Sequence, residues 1–146
     1  METRSSTADS KQILEELLLW GAAKFGLSYE PGSIKHFAYI SNLTFYSEVP
    51  LLGAASDPLI DLASKTSMAL SDIWHEPFEY APANLAIAHD PLARKNQIAP
   101  FMISRRVESR YSENKYFSEA PLPTDMHITF LEEFEAGVKR LNEARK

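Results

Sequence analysis

Three apolar stripes at helical spacing, interleaved with β-rich stretches, constrain this chain more than any other feature of its 146 residues. In the first, Asp9 stands as an N-cap with Gln12 three positions on. Ile13, Leu14, Leu17, Leu18, Gly21 and Phe25 then recur on one face, and Gly26 supplies a left-handed C-cap. In the second, Asp57-Pro58 places a capping acid before the residue best tolerated in a first helical turn. Leu59, Leu62, Ala63, Thr66, Ala69, Leu70 and Ile73 follow, and Pro77 halts the pattern. The third begins at Pro123-Thr124-Asp125 and carries His127, Phe130, Leu131, Phe134, Val138 and Leu141, with Glu135 four residues before Lys139.

The stretches between these helices read as strands. Glu30-Pro31-Gly32-Ser33 has the residues of a type II turn, since proline presets one central φ and glycine accepts the positive φ of the next. From Ile34 to Val49 the residues are aromatic and β-branched, and periodicity alone leaves open one long strand or two joined near Ser41-Asn42. Leu85-Ala86-Ile87-Ala88 is a short apolar run. Phe101 to Glu108 alternates and pairs with Lys115 to Leu122 across the polar turn Ser109 to Asn114.

The order helix, strand region, helix, strand, hairpin, helix departs from the β-α-β alternation of a doubly wound sheet. The expectation is a single α+β domain over residues 1–146. It has a mainly antiparallel sheet of three to five strands, N-terminal, central and C-terminal helices packed on one face, and residues 1–8 as a flexible tail. A chain of this length buries about two thirds of its unfolded surface, enough for one core. Without cysteine that core has neither disulfide nor thiolate metal site to support it. The apolar stretch Ile13 to Leu27 contains Glu15, Glu16 and Lys24, too much charge for a membrane span, and METRSSTADS lacks the apolar centre of a secretory signal. The expected location is therefore cytoplasmic, with no membrane partner.

Five glycines, none arranged as GxGxxG or GxxxxGK, leave no phosphate-cradling loop; GxSxG and HExxH are missing too. No cofactor or metal is expected. Two groups of residues remain as candidates for chemistry. His89-Asp90, at the end of the apolar run, sets an imidazole beside a carboxylate that would raise its pKa toward neutrality, with His36 as a further polar group. Against this, Asp90-Pro91 repeats the capping chemistry of Asp57-Pro58, which favours a short helical turn over Leu92-Ala93-Arg94-Lys95.

The second group lies in a basic segment, where Arg94, Lys95, Arg105, Arg106, Arg110 and Lys115 outnumber Glu108 and Glu113 in a chain of net charge −5. Arg105 shares its phase with Phe101, Ile103 and Val107. Either the strand end protrudes into water, or Arg105 finds a carboxylate such as Glu48 or Glu119, finds carbonyls, or lines a pocket where it binds an anion together with Arg106 and Arg110. Aromatic residues between these cations would suit single-stranded nucleic acid, which the acidic pI disfavours.

Two function classes follow. The first is a non-catalytic interaction or assembly protein, docking a protein partner or a second copy through an exposed aromatic strand containing Tyr39 and Phe45, or through the basic hairpin. The second is a small enzyme or ligand-binding protein with a pocket between sheet and helices, using His89, Asp90 and Arg105.

Overall fold

A computed structural model describes residues 4–54, 56–90, 92 and 98–144. Along the chain lie α1 (Thr7–Phe25), β1 (Ser41–Tyr46), a 3-10 turn (Leu51–Ala54), α2 (Asp57–Trp74), β2 (Asn84–Ile87), β3 (Phe101–Arg105), a second 3-10 turn (Tyr111–Glu113), β4 (Lys115–Ala120) and α3 (Thr124–Ala144). The four strands form one antiparallel sheet in the order β1-β4-β3-β2, giving the α+β domain with N-terminal, central and C-terminal helices that the pattern implied.

Local chemistry sets most of the boundaries. Gly26 takes φ 68° and returns its N–H to the Ala22 carbonyl, ending α1 as a left-handed cap. Gly32 has φ 82°, and Ser33 N–H reaches the Glu30 carbonyl at 3.0 Å, closing the turn. At the start of α1 the cap is Ser6 rather than Asp9. The Ser6 hydroxyl accepts from the Asp9 N–H at 3.1 Å, so Asp9 moves into the first turn and Thr7 and Ala8 join the helix instead of the expected tail. α2 likewise starts one residue earlier in its cap, at Ser56, and ends at Trp74 because His75 adopts a left-handed φ of 56° before Pro77 is reached.

Three expected strands are shorter than drawn. Residues 34–40 run outside the sheet, so the long aromatic stretch yields the single strand β1. β3 stops at Arg105, leaving Val107 95% exposed. β4 ends at Ala120, short of Pro121. Proline has no N–H to give a ladder, and the segment then turns into α3.

Pleat and register put Leu43, Phe45, Tyr116, Ser118, Phe101, Ile103, Leu85 and Ile87 on one face of the sheet. α3 packs there. Leu131 and Val138 join Ile103, Tyr116 and the turn residues Leu51 and Leu52 in the core, with Leu43, Phe45, Val49, Phe101 and Phe134 around them. Phe45, expected on an exposed face, is thus half-buried against the Tyr116 ring, with centroids 5.9 Å apart. No residue of α1 or α2 belongs to this cluster.

Polar bonds anchor the arrangement. The buried Tyr116 hydroxyl accepts from the Leu51 N–H at 3.0 Å, holding the turn after β1 against the sheet. Ser47 Oγ and Glu48 N–H both donate to Glu135 on α3, while Lys139 reaches Glu48 at 2.6 Å. The first residues of α1 and α3 cap each other. Thr7 N–H donates to the Thr124 hydroxyl at 3.0 Å and Thr124 N–H to the Thr7 hydroxyl at 2.8 Å.

Because Leu51 N–H has no water to turn to, Tyr116→Phe should cost about 1–3 kcal/mol in urea unfolding. Tyr46→Phe, on the same sheet but exposed, should leave the midpoint unchanged.

Candidate functional site

The expected catalytic group does not assemble. β2 is an edge strand, exposed at all four residues, not the buried strand from which catalytic groups are usually displayed. His89 and Asp90 are exposed beyond its end, and Asp90 Oδ1 accepts from Leu92 N–H at 2.9 Å, a local turn bond of the capping kind. The helical turn drawn through Ala93, Arg94 and Lys95 lies outside the described residues. His36 is exposed on the segment before β1 and His75 at the end of α2. Among the described residues, no three histidine, aspartate or glutamate side chains converge as a metal site would require.

Arg105 sits at the other end of the β2–β3 ladder from His89, its N–H bonded to the Ala83 carbonyl. Its guanidinium resolves the demand seen in the sequence through carbonyls: Nε donates to Pro82 at 3.2 Å and Nη1 to Tyr111 at 3.1 Å, stacked 4.0 Å above the Tyr111 ring. Neither Glu48 nor Glu119 pairs with it. Glu48 binds Lys139 instead, and Glu119 lies on the opposite face of β4. Arg105 lines an open cleft of about 670 Å³ with Arg110, Glu79, Tyr111, Ser112 and Asn114. His89 and Arg106 are not among the lining residues, so the site joining His89, Asp90 and Arg105 is not formed.

His127, on the apolar stripe of α3, has the most unusual surroundings of the four histidines. His127 is fully buried, and its Nε2 lies 2.8 Å from the Ser118 hydroxyl. This spacing resembles a nucleophile and its base. Ser118, however, donates its proton to the Met102 carbonyl at 2.7 Å, so its oxygen accepts from the imidazole rather than yielding a proton to it. Both groups have no exposure to a substrate, and Phe101 closes the site edge-on at 5.2 Å. The pair is a polar link within the core.

The feature that remains open is apolar. Leu85, Ile87, Phe101, Ile103, Phe130 and Phe134 line a groove of about 230 Å³ between the β2 edge and α3. Ile87 is 68% exposed and Phe130 43% exposed. The stripe of α2 is uncovered as well, since that helix has no buried residue. Ser67 and Ser71 accept from the N–H groups of Tyr80 and Phe78, binding the following segment along one flank. The flank carrying Leu59, Leu62 and Ile73 faces out. With the exposed apolar residues of α1, among them Leu17, Trp20 and Phe25, these contribute to an accessible surface of 11130 Å², where a compact monomer of this mass exposes about 7,500 Å². No described helix is long and apolar enough to cross a membrane. The α2 stripe was legible in sequence; what gave no signal was that its own core would not cover it.

Burial holds His127 below the usual imidazole range, with the Ser41 carbonyl partly offsetting it by favouring the charged ring. The unfolded chain therefore binds this proton more readily. The contribution is whole above about pH 6.5 and is lost as pH falls through the window below it. In denaturant titrations at pH 7.5 and 5.5 the native chain should lose more stability on acidification than His127→Gln, by up to about 1.4 kcal/mol per pH unit. Equal losses would disprove this account.

Compared with family models, curated proteins and solved structures, the chain matches none of them, so a functional reading rests on its own surfaces.

Proposed function

We propose that this chain is a non-catalytic interaction or assembly protein that works through a protein–protein surface formed by the β2–α3 groove and the outer flank of α2. The observation that carries the reading is the α2 helix: eighteen residues with an apolar stripe and no buried residue. Helices of this length draw most of their stability from packing such a face, and a soluble monomer rarely leaves so much contiguous apolar surface in water. The groove adds a second apolar patch beside an unpaired strand edge, a place where another chain gains both contacts and main-chain hydrogen bonds.

The test is the mass of the native particle. The chain should run in a complex heavier than its own 16.5 kDa, either with itself when purified or with another protein in an extract of its source cell. Ile87→Glu should return it to its own mass while shifting unfolding by about 0.5 kcal/mol or less, as for an exposed site. A native chain at its own mass in both settings disproves the reading, as does an Ile87→Glu variant that unfolds like a core mutant.

The Arg105 cleft supports a second reading, a ligand-binding protein for a small anion, because no carboxylate pairs with the Arg105 guanidinium among the described residues and Arg110 lines the same cleft. Titration calorimetry with inorganic phosphate should show heat that disappears in Arg110→Ala; no heat from the native chain removes this reading.

A further inference from the structure

The groove and the α2 flank fit each other, and we propose that a second copy of this chain supplies the contact: α2 of one copy lies in the β2–α3 groove of the other, reciprocally about a twofold axis. The inference rests on the docking role proposed above and names the partner.

The width of the sheet defines the vacancy. Four strands about 4.8 Å apart span roughly 19 Å, whereas a packed helix covers about 10 Å, so one face needs two helices. α3 fills one place, with Leu131 and Val138 in the core beside Tyr116 and the turn after β1. The second place, over β2 and β3, is the groove. Its lining is wholly apolar, so it asks for an uncharged helical stripe. On α2, Leu59, Leu62, Thr66, Ala69 and Ile73 recur at alternating intervals of three and four, the spacing of a helix–helix seam, without a charge among them. Asp61 and Lys65 pair with each other outside this stripe. The helix thus offers the groove a stripe without charge.

Gly137 points the same way. It stands inside α3 one turn beyond Phe134, where glycine costs about 1 kcal/mol relative to alanine. An added Cβ there would meet only the Arg140 guanidinium at 3.8 Å, so packing within the chain does not call for it. The flat site, on the side of α3 that carries Phe130 and Leu141, lets another helix approach closely.

Area and symmetry select the occupant. Obligate homodimers bury about 2,000–5,000 Å² in total, and the surface each chain exposes beyond a compact monomer, roughly 3,500 Å² shared among the α2 flank, the groove and α1 residues such as Leu17, Trp20 and Phe25, is of that order. Socket and plug are both present on every copy. A twofold axis repeats each contact, closing both grooves and covering both helices without a further component.

The chain contains no cysteine, so placed thiols report the contact cleanly. Ala69→Cys and Ile87→Cys, both at exposed positions, are purified separately, mixed and mildly oxidised. A disulfide-linked species of twice the chain mass should form in the mixture at least tenfold faster than in either variant alone. Sedimentation equilibrium of the native chain should give twice the chain mass, and Leu62→Glu should weaken association by 100-fold or more. Ala69→Cys linking to itself as readily as to Ile87→Cys overturns the inference in favour of α2–α2 pairing. A native chain that is a monomer when purified yet heavier in extract overturns the second copy as partner while the docking reading survives. A monomer in both settings removes the two together.

Discussion

A four-stranded sheet is about twice as wide as a helix, and in this protein only one helix lies firmly on it. Much else follows from that mismatch. The core gathers where α3 crosses the β1–β4 half and the turn carrying Leu51 and Leu52, while the β2 half keeps its apolar side chains in the open. The β2–α3 groove in the functional proposal is the uncovered remainder of the same sheet face that forms the core.

Polar groups explain why α3 lies to that side. Glu135 accepts from Ser47 and from the Glu48 backbone, and Lys139 closes the set onto Glu48, so the middle of α3 is fastened to the chain leaving β1. Near its start the buried His127 binds Ser118 on β4, and Thr124 and Thr7 satisfy each other's first-turn donors. The Tyr116 hydroxyl repeats the principle one turn away by satisfying Leu51. The bonds of Tyr116, His127 and Ser47 satisfy buried groups that would be costly to leave without a partner, the exposed Lys139–Glu48 pair adds little, and together they fix α3 over β4 and β1. On the β2 side α3 lines the groove with Phe130 and Phe134.

Much of the fold could be read in the residues. Gly26, Gly32 and the Asp57-Pro58 pair mark features decided within a few bonds, and the alternation from Phe101 and from Lys115 marks a hairpin for the same reason. The structure departs from the local pattern where one signal competes with another. Ser6 outcompetes Asp9 as a cap, and the aromatic run from Ile34 joins the sheet only from Ser41 because residues 34–40 find no partner strand. The candidate site was less legible. His89 and Arg105 looked like neighbours in a pocket, yet the antiparallel β2–β3 ladder sets them at opposite ends. Phe45 looked like an exposed aromatic, yet its register opposite Tyr116 turns it inward.

By itself, the sequence determined which segments are helical, which turns need glycine, that the sheet is antiparallel and that no disulfide contributes, because these depend on spacing and on chemistry between near neighbours. Only the tertiary structure decided which apolar stripes become core. α2 and α3 carry stripes of similar quality, but α3 reaches partners on β1 and β4 whereas α2 is tied to the segment that follows it. Burial is a property of what lies across from a residue, and the sheet order β1-β4-β3-β2, which sets that, is a long-range pairing that local spacing does not encode.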